Sequence, residues 1–142
     1  MNQTCLVFSA AGRSFALPVK AVERIVAAAE TTAVDPPRRG LKGLVNVAGE
    51  VAPVVDVARC LGQPEREMEL TDRFVLVRPG GRLTALWVEA VDGVCDLDVA
   101  DLPLPVGGGS VTVALDGDRL LSFCALEGLL ADLCSGGRGE RG

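Results

Sequence analysis

The stretch Gly43 to Asp56, Gly-Leu-Val-Asn-Val-Ala-Gly-Glu-Val-Ala-Pro-Val-Val-Asp, constrains the fold of this chain more than any other. Two apolar, largely β-branched runs, Leu44 to Val47 and Val51 to Val55, flank Ala48-Gly49-Glu50, the one point where the backbone turns easily. Such side chains pack well on a pleated surface, so the pattern predicts two strands joined by a tight corner. Pro53 has no N–H to give to a ladder, which predicts a sheet edge or a bulge for the second strand. An edge is where a partner's chain can add on.

A chain of 142 residues suits one domain, or two small barrels sharing a core. At that length roughly 68–70% of the unfolded surface is buried on folding, so neither a disulfide nor a metal is required for stability. Hydrophobic residues make up 49% and aromatics only 4%, so the core must be built from Val, Leu and Ala. The formal net charge of -5 repels phosphate backbones, which argues against a nucleic-acid partner. No apolar run approaches the roughly 18 residues of a membrane span, and the amino terminus has no basic segment leading into an apolar one. The expected location is the cytoplasm, with no direct membrane insertion.

The chemistry of an active site is hard to find. There is no histidine, which removes Ser-His-Asp and Cys-His machinery. The five cysteines, Cys5, Cys60, Cys95, Cys124 and Cys134, are scattered and never form Cys-x-x-Cys, so buried small hydrophobes in a reducing compartment are expected, not a zinc site. Gly107-Gly108-Gly109 lacks the Lys and helix of a phosphate loop. Asp96, Asp98 and Asp101 lack the glycine and terminal Glu of a calcium loop. No enzyme, cofactor or metal is expected.

Along the chain, Cys5 to Ser9 and Ser14 to Pro18 read as a hairpin across Ala10 to Arg13. Pro18 then starts one helical turn that runs into a strand at Arg24 to Ala28. A proline-broken loop, Thr31 to Gly40, precedes the opening stretch, and Val57 to Leu61 carries a short helical turn. Residues 63–72 are the candidate linker. Arg73 to Arg78 and Leu83 to Val88 form a second hairpin across Pro79-Gly80-Gly81, and the strand continues to Val91. Gly93 to Leu97 adds another strand, followed by a capped turn at Asp98 to Asp101. Asp116-Gly117-Asp118 between apolar runs predicts a third hairpin. Leu126, Leu129, Leu130 and Leu133 share one face of a closing amphipathic helix over Ala125 to Leu133, and residues 135–142 read as a disordered tail. Three hairpins with frequent turn signals predict an all-β barrel or sandwich.

Gly43, Asn46, Val47, Gly49, Pro53, Val54, Val55 and Asp56 stand at the spacing of a signature that resembles the CheW family of chemotaxis coupling proteins. Phe15-Ala16-Leu17-Pro18-Val19 with Val22 and Ile25, Leu86-Trp87-Val88-Glu89 with Val91, and Leu120 to Phe123 resemble further family segments in the expected order. The resemblance implies a CheW-like domain over residues 1–134, built from two SH3-like five-stranded β-barrels packed together. It also implies a non-enzymatic adaptor that couples the cytoplasmic tip of a methyl-accepting chemoreceptor to the regulatory domain of a CheA-type histidine kinase in a signalling array. Other CheW-like proteins are a further implied partner class. Receptor contact falls by resemblance on Val22, Gly43, Asn46, Ala48, Gly49 and Val91, and kinase contact on Val19, Arg24, Ile25 and Val54. The bland reading stays open beside it: Val22, Val47, Val54 and Val91 also suit a plain core, Asn46 and Gly49 are ordinary turn formers, and Arg24 also suits a solvated surface charge.

Three positions depart from the family pattern: Arg24 where Glu is usual, Ala48 where Arg is usual, and Ala85 where Gly is usual. If the family's Glu and Arg face each other at the partner-binding end, this chain has given up both charges together. Interface charge decides which partners are tolerated. The alternatives are therefore a divergent paralogue that engages one partner only and, outside the family, an SH3-like carrier of a small ligand.

Overall fold

The computed structural model describes residues 1–123. In chain order its elements are β1 (Asn2–Ala10), β2 (Arg13–Pro18), β3 (Val22–Ala27), β4 (Leu41–Val47), β5 (Glu50–Asp56), α1 (Val57–Cys60), β6 (Arg73–Val77), β7 (Thr84–Val88), β8 (Ala90–Pro103), β9 (Ser110–Asp116) and β10 (Arg119–Phe123). Single 3-10 turns at Val19–Ala21 and Pro79–Gly81 complete them. The all-β expectation and the three hairpins are borne out. The closing helix expected over 125–133 and the tail at 135–142 lie outside the described residues.

The strands divide into two units of five. One is a closed barrel in the order β1-β2-β10-β9-β8, sealed by a short parallel pairing of β10 with β2. The other is a sheet in the order β3-β6-β7-β5-β4, with β5 parallel to β7. It remains open between β3 and β4, because the segment after β3 crosses to the outer edge of β4 and bonds there. Thr32 and Leu44 exchange two main-chain hydrogen bonds of 2.8 Å.

The two units share one core. Leu6, Phe8, Phe15 and Leu17 of the barrel pack against Val55, Val75, Val77, Leu86 and Val88 of the sheet. Each unit also has a smaller cluster of its own, around Trp87, Phe74 and Leu76 in the sheet and around Leu97, Ala114 and Leu121 in the barrel. An aliphatic composition suffices because the shared layer buries side chains from both sheets at once.

Two local expectations are corrected. Pro53 lies in β5, which has neighbours on both sides, while the sheet edge is β4. The proline is tolerated because Leu44, its partner, turns its N–H and C=O the other way, toward Thr32. Leu44 and Pro53 thus form a non-hydrogen-bonded pair, and the ladder to β7 begins only at Val54. The capped turn expected at Asp98 to Asp101 is instead part of the 14-residue β8. Those residues pair with Thr112 to Leu115 of β9, and a ladder satisfies more main-chain groups than an isolated first turn.

Residues 61–72 carry no helix or strand, yet the end of this segment is fastened to the sheet. The Trp87 indole N–H donates to the Asp72 carboxylate at 2.8 Å, and Arg66 pairs with the same carboxylate at 3.0 Å while its guanidinium lies 4.6 Å from the indole centroid. Asp56 caps α1, accepting the Arg59 N–H at 3.1 Å.

Candidate partner-binding site

The corner that joins β4 to β5 is a two-residue turn with both residues in the left-handed region, Ala48 at φ 49° and Gly49 at φ 92°. Such turns match the right-handed twist of the flanking strands. The side chain of Asn46 accepts the Gly49 N–H at 2.8 Å and fixes the turn from within. Asn46 is two residues beyond Leu44, so its main-chain groups face the same open side of β4, past the bridge to Thr32.

Beside this corner lies a half-open cavity of about 250 Å³. Val47, Leu76 and Leu83 supply apolar walls, and Arg24 and Ala48 line it together. Two of the three departures from the family pattern therefore fall in one place, while the third, Ala85, is buried in β7. Around the same cavity stand Glu23 and Glu50. Arg78, directly after β6, clamps both of them. Its Nε and Nη2 donate to Glu23 at 2.8 and 3.1 Å, and its Nη1 and Nη2 donate to Glu50 at 2.7 and 3.0 Å. These bonds hold both carboxyls below the usual range and raise the guanidinium. A β-bulge makes this possible: Val22 pairs with Val77 and Arg24 with Leu76, leaving Glu23 as the extra residue whose side chain is re-aimed.

Charge is thus not absent from this end of the sheet; beside Arg24 it is carried by Glu23, Glu50 and Arg78, none of which the sequence reading singled out. The one available signal was weak. Arg78 ends an apolar run and Glu50 follows the turn glycine, but Arg78 is 55 residues from Glu23 and 28 from Glu50, so only the sheet register brings them together.

The other residues named from the resemblance are placed unevenly. Asn46, Ala48, Gly49 and Arg24 are exposed around the corner, and Ile25 is on the same strand with 37% of its surface free. Val22 and Val91 are half-buried against the shared core, and Val19 is half-buried in the turn before β3. Val54 is 0% exposed and offers a partner no surface. Gly43 is buried beneath Thr32, where a Cβ would lie 2.5 Å from the Thr32 carbonyl oxygen. Both shape the site from below.

The arrangement is suited to binding. Glu23 and Glu50 are engaged by Arg78, and burial raises the thiols of Cys5, Cys95 and Cys60, the last to about 12, so none is poised as a nucleophile. Among the described residues no three His, Cys, Asp or Glu side chains could jointly hold a metal ion, and no helix is long and apolar enough to cross a membrane.

Comparison with known proteins agrees with this architecture. The crystal structure of scaffolding protein TtCheW from Thermoanaerobacter tengcongensis is similar to this chain with a TM-score of 0.78 at 24% sequence identity, covering 91% of this chain and 92% of that one. That likeness bears on the fold. No curated protein sequence matches. The family model for the CheW-like domain matches residues 4–132, spanning both five-stranded units and the corner between β4 and β5. The chain belongs to the CheW-like family.

Proposed function

We propose that this chain is a non-enzymatic adaptor of a chemosensory array, working in the cytoplasm and holding a chemoreceptor tip and the regulatory domain of a CheA-type histidine kinase together. The observation that carries the reading is the β4–β5 corner: an exposed turn, an open strand edge and an apolar cavity rimmed by charge. Main-chain edges and shallow apolar walls suit macromolecular partners, whereas a small-ligand carrier needs an enclosed pocket. Asn46, Ala48, Gly49, Arg24 and Ile25 are the direct contacts in this reading, with Val19, Val22 and Val91 at its margin and Gly43 and Val54 supporting it from inside.

A single-partner role is the second reading, and one observation favours it: Arg24 and Ala48 line the same cavity, so both substitutions alter one contact surface. Pull-down of the full chain with the receptor tip and with the kinase regulatory domain, each alone, separates the two. Retention of both supports the coupling role and removes the single-partner one. Retention of one reverses that choice, and retention of neither overturns the adaptor reading.

A further inference from the structure

We propose that a cationic cleft at the other end of β4 binds a small, multiply phosphorylated anion. Lys42 and Ala48 are six residues apart on an extended strand, about 20 Å, so this cleft is separate from the corner. It has a volume of about 340 Å³ and is lined by Arg38, Arg39, Lys42, Arg59 and Arg66. Among the described residues two carboxylates, Asp56 and Glu65, share it, in a chain whose overall charge is -5.

Two of the arginines are held in part by neutral main-chain acceptors, which orient a guanidinium without cancelling its charge. Arg59 Nη1 donates to the Gln63 carbonyl at 3.2 Å and Arg66 Nη1 to the Glu67 carbonyl at 3.3 Å. Lys42 is the extra residue of a bulge in β4, and its ammonium lies 5.3 Å from the Trp87 centroid, the ring that Arg66 also covers. Arg66 also pairs with the buried carboxylate of Asp72, and its Nε is buried without an acceptor among the described residues. Four of the five cations are arginines, whose planar forks match phosphate oxygens in pairs. Among the described residues Pro37 and Leu41 are the larger apolar ones in the lining, which offers a protein partner little anchor surface, whereas a compact polyanion needs none.

The test is titration of the full chain with tripolyphosphate, followed by amide chemical shifts. Shifts at Gly40, Lys42, Arg59 and Arg66 are expected. Arg38→Glu, at an exposed position, should weaken binding by at least about tenfold, the worth of one charge-assisted contact and its reversal. Arg82→Glu makes the same charge change elsewhere and should alter affinity by less than about threefold, as screened long-range charge does. Absence of shifts in the cleft, equal weakening by the two variants, or equally tight binding of a deca-glutamate peptide would each overturn the proposal. Pull-down of receptor or kinase does not enter, so this test can fail while the adaptor reading stands.

Discussion

The closed barrel and the open sheet have five strands each and share a core, yet only the sheet has edges. In the barrel, the pairing of β10 with β2 consumes the last strand face, and what is left outward is side chain. In the sheet, β4 is covered only where Thr32 crosses it, and the rest of that strand leads into the exposed corner. Closure stabilises a unit and removes its capacity to add a strand. The difference is one of exposure: the barrel pairs its strands all round, and the sheet leaves main chain and the charge-rimmed cavity open.

Glycine substitutions give the widest separation between the two. Gly43→Ala forces a methyl to within 2.5 Å of the Thr32 carbonyl oxygen, while Gly12→Ala in the β1–β2 turn of the barrel meets nothing within 4 Å. Gly12→Ala should cost about 1 kcal/mol, the price of a left-handed alanine. Gly43→Ala should cost about 2 kcal/mol or more and raise hydrogen exchange at Leu44 as the bridge to Thr32 is lost. Equal costs in urea unfolding would erase the distinction between a covered edge and a free turn.

A smaller effect sharpens the account of the corner. Ala48 holds a left-handed conformation that costs a non-glycine residue about 1 kcal/mol. Ala48→Gly should therefore stabilise the chain by several tenths of a kcal/mol, with the gain limited by the added freedom of the unfolded glycine. A loss of stability would mean that the alanine methyl contributes packing to the cavity wall.

The smallest effect concerns Asp56, where sheet and α1 meet. Burial raises its carboxyl, with the Arg59 N–H and nearby cations acting the other way. A raised folded-state pKa means that the native state binds the extra proton, so this group's contribution to stability is present at low pH and is lost as pH rises from about 4 through the raised value. Asp56→Asn keeps an acceptor for the Arg59 N–H and should remove that downward slope. Thermal melts of both proteins between pH 4 and pH 7 check it; an unchanged slope would place the titration elsewhere.

Much of the fold was legible in the sequence because its hairpins are local. Asp116-Gly117-Asp118, Pro79-Gly80-Gly81 and Ala48-Gly49 each declare a turn within a few residues. The errors came where a distant strand decided the outcome. Asp98 to Asp101 has the look of a cap until β9 is laid beside it, and Pro53 has the look of an edge residue until Thr32 is seen to take the bonds of Leu44. The candidate site was legible in Asn46, Ala48 and Gly49, and in the departure at Arg24. The Glu23–Arg78–Glu50 clamp was not, since a one-residue bulge in β3 decides which side chain of that strand reaches Arg78.

Amide chemical shifts of the full chain on addition of the CheA-type regulatory domain and, separately, of the receptor tip report which surface a partner covers. The expected result is perturbation at residues 22–25 and 46–50 by at least one of the two, with β9 of the barrel unmoved. Binding that perturbs only the barrel, leaving the β4–β5 corner silent, would contradict it.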